Sequence, residues 1–184
     1  MKFLRRVTCI VYCAVSVIKH KEQRVAVFID VQNMYHSAKN LFNSRLNFKE
    51  TVKDTVAGRK LIRAIAYVIR TESGEEKPFL EALVKIGIET KLKDLQIFPG
   101  GVKKADWDVG IAIDAARLGP KVDAVILMSG DGDFVPLIQY LQEVFGLQVE
   151  VAAFGRSASQ KLKEAADDFI DLGSDPSRYL IRIR

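Results

Sequence analysis

Two continuous apolar runs, each leading into acid, constrain this fold most. Residues 25–30 read VAVFID, and residues 122–130 read VDAVILMSG, followed at once by Asp131, Gly132 and Asp133. A sheet with one wet face alternates apolar and polar side chains, so uninterrupted stretches such as VAVFI and AVILM belong to strands buried on both faces. Such strands are joined by helices, and the remaining pattern agrees. Helical periodicity over 31–42, 77–87, 105–119, 134–145 and 157–166 alternates with strand character over 61–70, 88–98 and 149–154. A short edge strand follows at 168–172, Gly87, Gly119 and Gly146 stand where helices should stop, and 43–58 and 99–104 read as loops. The expectation is one α/β domain over 25–175, a three-layer α/β/α sandwich around a mainly parallel sheet, with no internal repeat or linker.

The formal net charge of +5 invites a nucleic-acid partner, but its distribution weakens that argument. Residues 1–24 hold six Lys/Arg and one acid, and residues 176–184 hold three Lys/Arg and no acid. Residues 25–175 are left at −3. The ends read as an N-terminal extension and a basic C-terminal tail around an acidic domain. Cys9 and Cys13 suit one helix face better than a disulfide framework, and with only His20 and His36 available a structural zinc site is excluded. A cytoplasmic protein is expected. Behind Lys2, Arg5 and Arg6 lies an uncharged run of twelve residues, 7–18. It is too short for the roughly 20 apolar residues of a spanning helix. Its length suits a signal-peptide core, the alternative to a peripheral helix or a non-native extension.

Several chemistries drop out. No GxxxxGK[ST] phosphate loop and no GxSxG elbow occurs, and the first strand leads into DVQNMY rather than a glycine-rich dinucleotide turn. What remains is acid at strand ends. Ligands of open parallel sheets bind outside the carboxyl ends of strands, where the winding reverses. If the strands at 25–30 and 122–130 are neighbours there, Asp30, Asp131 and Asp133 share one crevice. Crowded carboxylates call for a hard cation. Gly132 is expected to let the chain turn tightly between its two acids. The plain alternative is that Asp is common in turns and caps.

The helix after loop 99–104 holds Asp106, Asp108 and Asp114. At 100° per residue Asp108 falls among Ile111, Ala112 and Ala115 on the apolar stripe, while Asp106 and Asp114 point to solvent or the rim. A charge on that stripe is costly unless paired or metal-bound, so Asp108 is the fourth candidate. Asn33 and Ser129 could hydrogen-bond a phosphate or water in the same crevice. Lys103, Lys104 and Arg156 could neutralise backbone phosphates. Trp107, Tyr35 and Phe134 read chiefly as packing residues, and His36 as an ordinary helix residue.

VFIDVQNMY, WDVGIAIDA and LMSGDGDFVPLI, in that order and spacing, resemble the NYN domain family in its LabA-like bacterial branch, a relative of the PIN-domain nucleases. The resemblance covers about 25–172 and implies a PIN-like fold and a divalent-metal-dependent ribonuclease, an endonuclease. It carries the family's polar positions onto Asp30, Asn33, Asp108, Asp131 and Asp133. Mg²⁺ or Mn²⁺ held by Asp30, Asp108, Asp131 and Asp133 would then bind the scissile phosphate of RNA, expected to be single-stranded. Ser129, Lys103, Lys104 and Arg156 would contact that substrate, and a homodimer is compatible with this reading. The sequence departs from PIN nucleases in a further mid-chain acid, for which Glu81 is the one obvious stand-in. Two rivals remain. A haloacid-dehalogenase-type phosphatase needs a second acid two residues after its first, where this chain has Gln32. A non-catalytic RNA- or protein-binding regulatory module would keep the fold without the chemistry.

Overall fold

A computed structural model of the chain describes residues 17–70, 76–97, 103–104 and 106–182. Most of the N-terminal apolar run, both cysteines, Arg184 and the side chains of Lys103 and Lys104 lie outside the described residues. The chain opens with β1 (Arg24–Asp30), α1 (Val31–Phe42), β2 (Ser44–Leu46), α2 (Phe48–Val56) and β3 (Lys60–Arg70). It continues through α3 (Lys77–Lys85), β4 (Glu89–Asp94), the two-residue strands β5 (Gln96–Ile97) and β6 (Lys103–Lys104), α4 (Asp108–Leu118) and β7 (Ala124–Met128). The last third holds α5 (Val135–Phe145), β8 (Gln148–Ala153), α6 (Gln160–Ala165), β9 (Asp168–Asp171), α7 (Pro176–Tyr179) and β10 (Leu180–Arg182).

Six strands form one parallel sheet in the order β4-β3-β1-β7-β8-β9. The two apolar runs are its centre: Val25–Ile29 and all five residues of β7 are buried. From β1 the chain winds outward to β3 and β4, then crosses to β7 and winds the other way. The reversal therefore falls between β1 and β7, as the expected architecture required. Right-handed crossovers put α1, α2 and α3 on one face and α4, α5 and α6 on the other. The layers show in the packing. Phe48 of α2 meets Phe79 of α3 at 5.5 Å between ring centroids, while α4 packs on α5 and α5 on α6.

Three expectations are corrected. Residues 43–58 are not a loop but β2 and α2. Asn47 caps α2 by accepting from the Glu50 amide at 3.3 Å, and its buried side is Thr51, Val52, Thr55 and Val56. The threonine hydroxyls turn back onto the Asn47 and Thr51 carbonyls, so residues that read as polar loop are core. The strand expected over 88–98 ends at Asp94, and its continuation pairs antiparallel with Lys103–Lys104 inside the expected loop. The basic tail is built in as well: β10 pairs antiparallel with β2, and Arg178 binds Asp54. Among the described residues, no helix is long and apolar enough to cross a membrane.

One ion pair is fully enclosed. Arg59, just after α2, bonds both carboxylate oxygens of Glu150 on β8, and neither side chain is exposed. Lys19 comes within 3.0 Å of Glu150 and 2.8 Å of Asp168, fastening the segment before β1 to the sheet.

Candidate active site

The site is built where β1 and β7 end. Asp30, the last residue of β1, caps α1 by accepting from the Asn33 amide at 3.1 Å. Ser129 follows β7 and is completely buried. Its hydroxyl donates to the other oxygen of Asp30 at 3.2 Å and accepts from the Asp131 amide at 3.2 Å. Asn33 closes the lacing by accepting from the Gly130 amide at 2.9 Å. Asp131 in turn caps a short turn of 3-10 helix, accepting from the Asp133 amide at 3.0 Å. Two residues from each strand end thus bind the two ends together.

Glycine lets the second segment pack closely on the residues before α6. A Cβ on Gly132 would stand 2.7 Å from the Ser159 hydroxyl oxygen, and one on Gly130 would stand 3.1 Å from the Ala158 Cα. Among the described glycines, the left-handed region holds Gly58, Gly87 and Gly146, so the expected conformational role of Gly132 is replaced by close packing.

A cleft of about 360 Å³ opens above these strand ends, lined by Asp30, Asn33, Asp131 and, from across the gap, Asp106 and Asp108. Trp107 anchors the far wall. Its indole Nε1 donates to the Val68 carbonyl at 3.1 Å, and its ring stands edge-on to Tyr67 at 5.3 Å. Asp108 begins α4, and its carboxyl is pushed up to about 6 by burial first, then by the negative field of Asp30, Asp131, Asp106 and Asp133. Burial also raises Asp30, opposed by hydrogen bonds from the Asn33 amide and Ser129 and reinforced by the charge of Asp131. Among the described residues no Lys or Arg lines this cleft. No three acids or histidines among them stand close enough to form a ready-made metal centre.

Of the residues singled out from sequence, Asp30, Asn33, Asp108 and Asp131 share the cleft. Asp133 is exposed outside its wall, although its charge is felt at Asp108. Ser129 is not a free ligand group, because its hydroxyl is spent between Asp30 and Asp131. Arg156 is exposed on the loop after β8, beside Ser157, which does line the cleft.

Other placements differ from expectation. Asp106 lies in the cleft wall: it precedes the first turn of α4, so helical angles do not apply to it. Asp114 is no solvated acid, its side chain being 15% exposed. It accepts from the Tyr67 hydroxyl at 2.8 Å and from Lys91 at 2.5 Å. Glu81 is exposed on α3 and takes no part in the cleft. His36 was missed, for it lines the cleft one turn beyond Asn33. The i, i+3 spacing from Asn33 was the available signal. Trp107 and Phe134 pack as expected, and Tyr35 is 40% exposed.

The NYN domain model matches residues 24–174. The low amplitude and bright protein LabA of Synechococcus elongatus is 27% identical over 161 residues, covering 83% of this chain and 85% of that one. An uncharacterized protein of Methanocaldococcus jannaschii is 27% identical over 159 residues, covering 84% of this chain and 57% of that one. The crystal structure of a protein of unknown function from Vibrio parahaemolyticus has the same fold, with a TM-score of 0.80 at 32% identity. That match covers 90% of this chain and 100% of the other.

Proposed function

The chain belongs to the NYN domain family in its LabA-like branch, and from that premise we propose that it is a divalent-metal-dependent ribonuclease hydrolysing single-stranded RNA in the cytoplasm. One observation carries the reading: Asp30, Asp108 and Asp131 line a single cleft at the switch point of the sheet, with no lysine or arginine among the described residues of its wall. Such a cleft repels a phosphodiester until a cation enters it.

The donor set fits. It is all carboxylate oxygen, the choice for Mg²⁺ or Mn²⁺, and Mg²⁺ keeps waters and phosphate oxygens in its shell. A site without a ready-made triad of acids accords with that habit. Asp30, Asp108 and Asp131 would hold the ion, and Asp133 would add its negative charge to the same field. When bound, the ion supplies an acidified water for in-line attack and positive charge for the departing 3′ oxygen. Ser129 fixes the rotamer of Asp30. The carbonyl of Asn33 is engaged by Gly130, which leaves its amide NH₂ to donate to a phosphate oxygen. Asp108 must ionise to act as a ligand, so protons compete with the cation for it and activity falls as the pH is lowered. Lys103, Lys104 and Arg156 are the candidates for phosphate contacts.

The test is cleavage of single-stranded RNA with Mg²⁺ or Mn²⁺ against an EDTA control. Cation-dependent cleavage is expected. Binding without cleavage under any cation would assign a non-catalytic RNA-binding module instead. The lack of a ready-made metal centre among the described residues is what keeps that second reading in play.

A further inference from the structure

On the outer half of the sheet, β3, β4 and α4 enclose a second depression of about 230 Å³. Arg63 and Lys91 rise into it from the strands, and Arg117 and Lys121 from the end of α4 and the turn beyond. Asp114 is the one acid among its lining residues. Arg63 is paired with Glu89 at 2.7 Å and Lys91 with Asp114 at 2.5 Å. Arg117 and Lys121 make no ion pair with any described residue, although Arg117 is close enough to help hold Asp114 ionised. Among the described residues, two cations are therefore left without an ion pair beside two that have one.

Along β4 the positive charge continues toward the cleft. Lys93 lies two residues beyond Lys91, on the same face of β4. Its ammonium donates to the Asp106 carbonyl at 2.9 Å and sits 5.8 Å from the Trp107 ring centre. Asp106 and Trp107 both line the carboxylate cleft. From Asp108, in that cleft, α4 descends to Arg117 over about 14 Å at 1.5 Å per residue. A row of cations thus runs from the rim of an acidic cleft down an otherwise acidic domain.

We propose that this groove holds the phosphate backbone of single-stranded RNA where the strand extends beyond the cleft, with Arg117 and Lys121 contacting its phosphates. The proposal rests on the ribonuclease reading of the cleft. A flexible polyanion suits the arrangement better than a free phosphate, because the cations are spread over β3, β4 and the end of α4 instead of closing around one point.

The groove needs no metal, whereas the cleft does, and this separates the two readings. In EDTA at low ionic strength cleavage stops and the cleft repels phosphate, so the part of the remaining RNA affinity that R117A/K121A removes reports the groove. The measurement is fluorescence anisotropy of a twelve-nucleotide and a four-nucleotide single-stranded RNA with the wild-type chain and R117A/K121A, across a salt series. Wild type is expected to favour the longer RNA. The double variant is expected to lose about five-fold or more in affinity for it, and the salt slope should fall by about 1.4, two contacts at roughly 0.7 each. Because both side chains lie outside the core, a circular dichroism spectrum matching wild type certifies the variant. Unchanged affinity and slope in R117A/K121A would overturn the groove, as would the absence of any RNA binding by wild type in EDTA. Displacement of the longer RNA by inorganic phosphate at the same phosphate concentration would overturn it in favour of a small-anion site. None of these outcomes touches the cleft, which stands or falls on cation-dependent cleavage.

Discussion

At the scale of single residues, function and stability pull in opposite directions. Asp30→Asn and Asp131→Asn should each abolish RNA cleavage while leaving the unfolding midpoint in urea unchanged or higher, since each removes one of several repelling carboxylates. Loss of the fold in both would overturn that assignment. Asp108 gives a signature in pH. Its carboxyl titrates near 3.8 in the unfolded chain and near 6 in the folded one, so the folded state holds the proton more tightly. Its contribution is therefore fully present at low pH and is lost as pH rises from about 4 through about 6. Urea midpoints measured across that window should fall for the wild type and fall less for Asp108→Asn. Asp114→Asn is a different case, because its carboxylate bonds Tyr67 and Lys91. About 1 kcal/mol of stability should be lost, with cleavage affected far less than by Asp30→Asn. Asp30, Asp131 and Asp108 were legible in the sequence because strand ends and helical stripes are local patterns. The structural role of Asp114 was not, since its partners lie 47 and 23 residues away.

At the scale of elements, the site depends on how closely α4 and the loop after β7 approach their neighbours. A Cβ on Gly110 would stand 2.5 Å from the Trp107 ring, and that ring cannot swing aside while Nε1 holds the Val68 carbonyl and its edge packs on Tyr67. Gly110→Ala should displace the first turn of α4 and with it Asp108, costing about 1–3 kcal/mol and most of the cleavage activity. Equilibrium unfolding and the RNA assay check the two halves of that statement. A wild-type midpoint would mean that the turn relaxes freely. Elements with strong periodicity, such as α1, β1 and β7, stand where the sequence put them. Those without it were missed: β2 is three residues long and exists through pairing with β10. The apolar face of α2 is half threonine, and its hydroxyls are satisfied only once the helix has formed.

At the scale of the whole molecule, the Arg59–Glu150 pair ties the end of α2 to the far half of the sheet. Arg59→Ala leaves a buried carboxylate with Lys19 as its remaining cation. Unfolding free energy should drop by about 3 kcal/mol, the low end for a broken buried pair, as read from urea titration. No measurable loss would mean that Lys19 alone compensates Glu150. The amino-acid sequence by itself determined the class of this fold and the acids at its centre. A strand that offers no polar face can only be buried on both sides, and an acid at its carboxyl end must then lie at the edge of the sheet where ligands bind. The tertiary structure alone decided which acids meet, that Ser129 serves Asp30 rather than a ligand, that Asp106 and His36 line the cleft, and that a row of cations leads away from it. Those outcomes depend on strand order and helix approach across 20 to 100 residues of chain, and free energy over such separations comes from packing that no local pattern records.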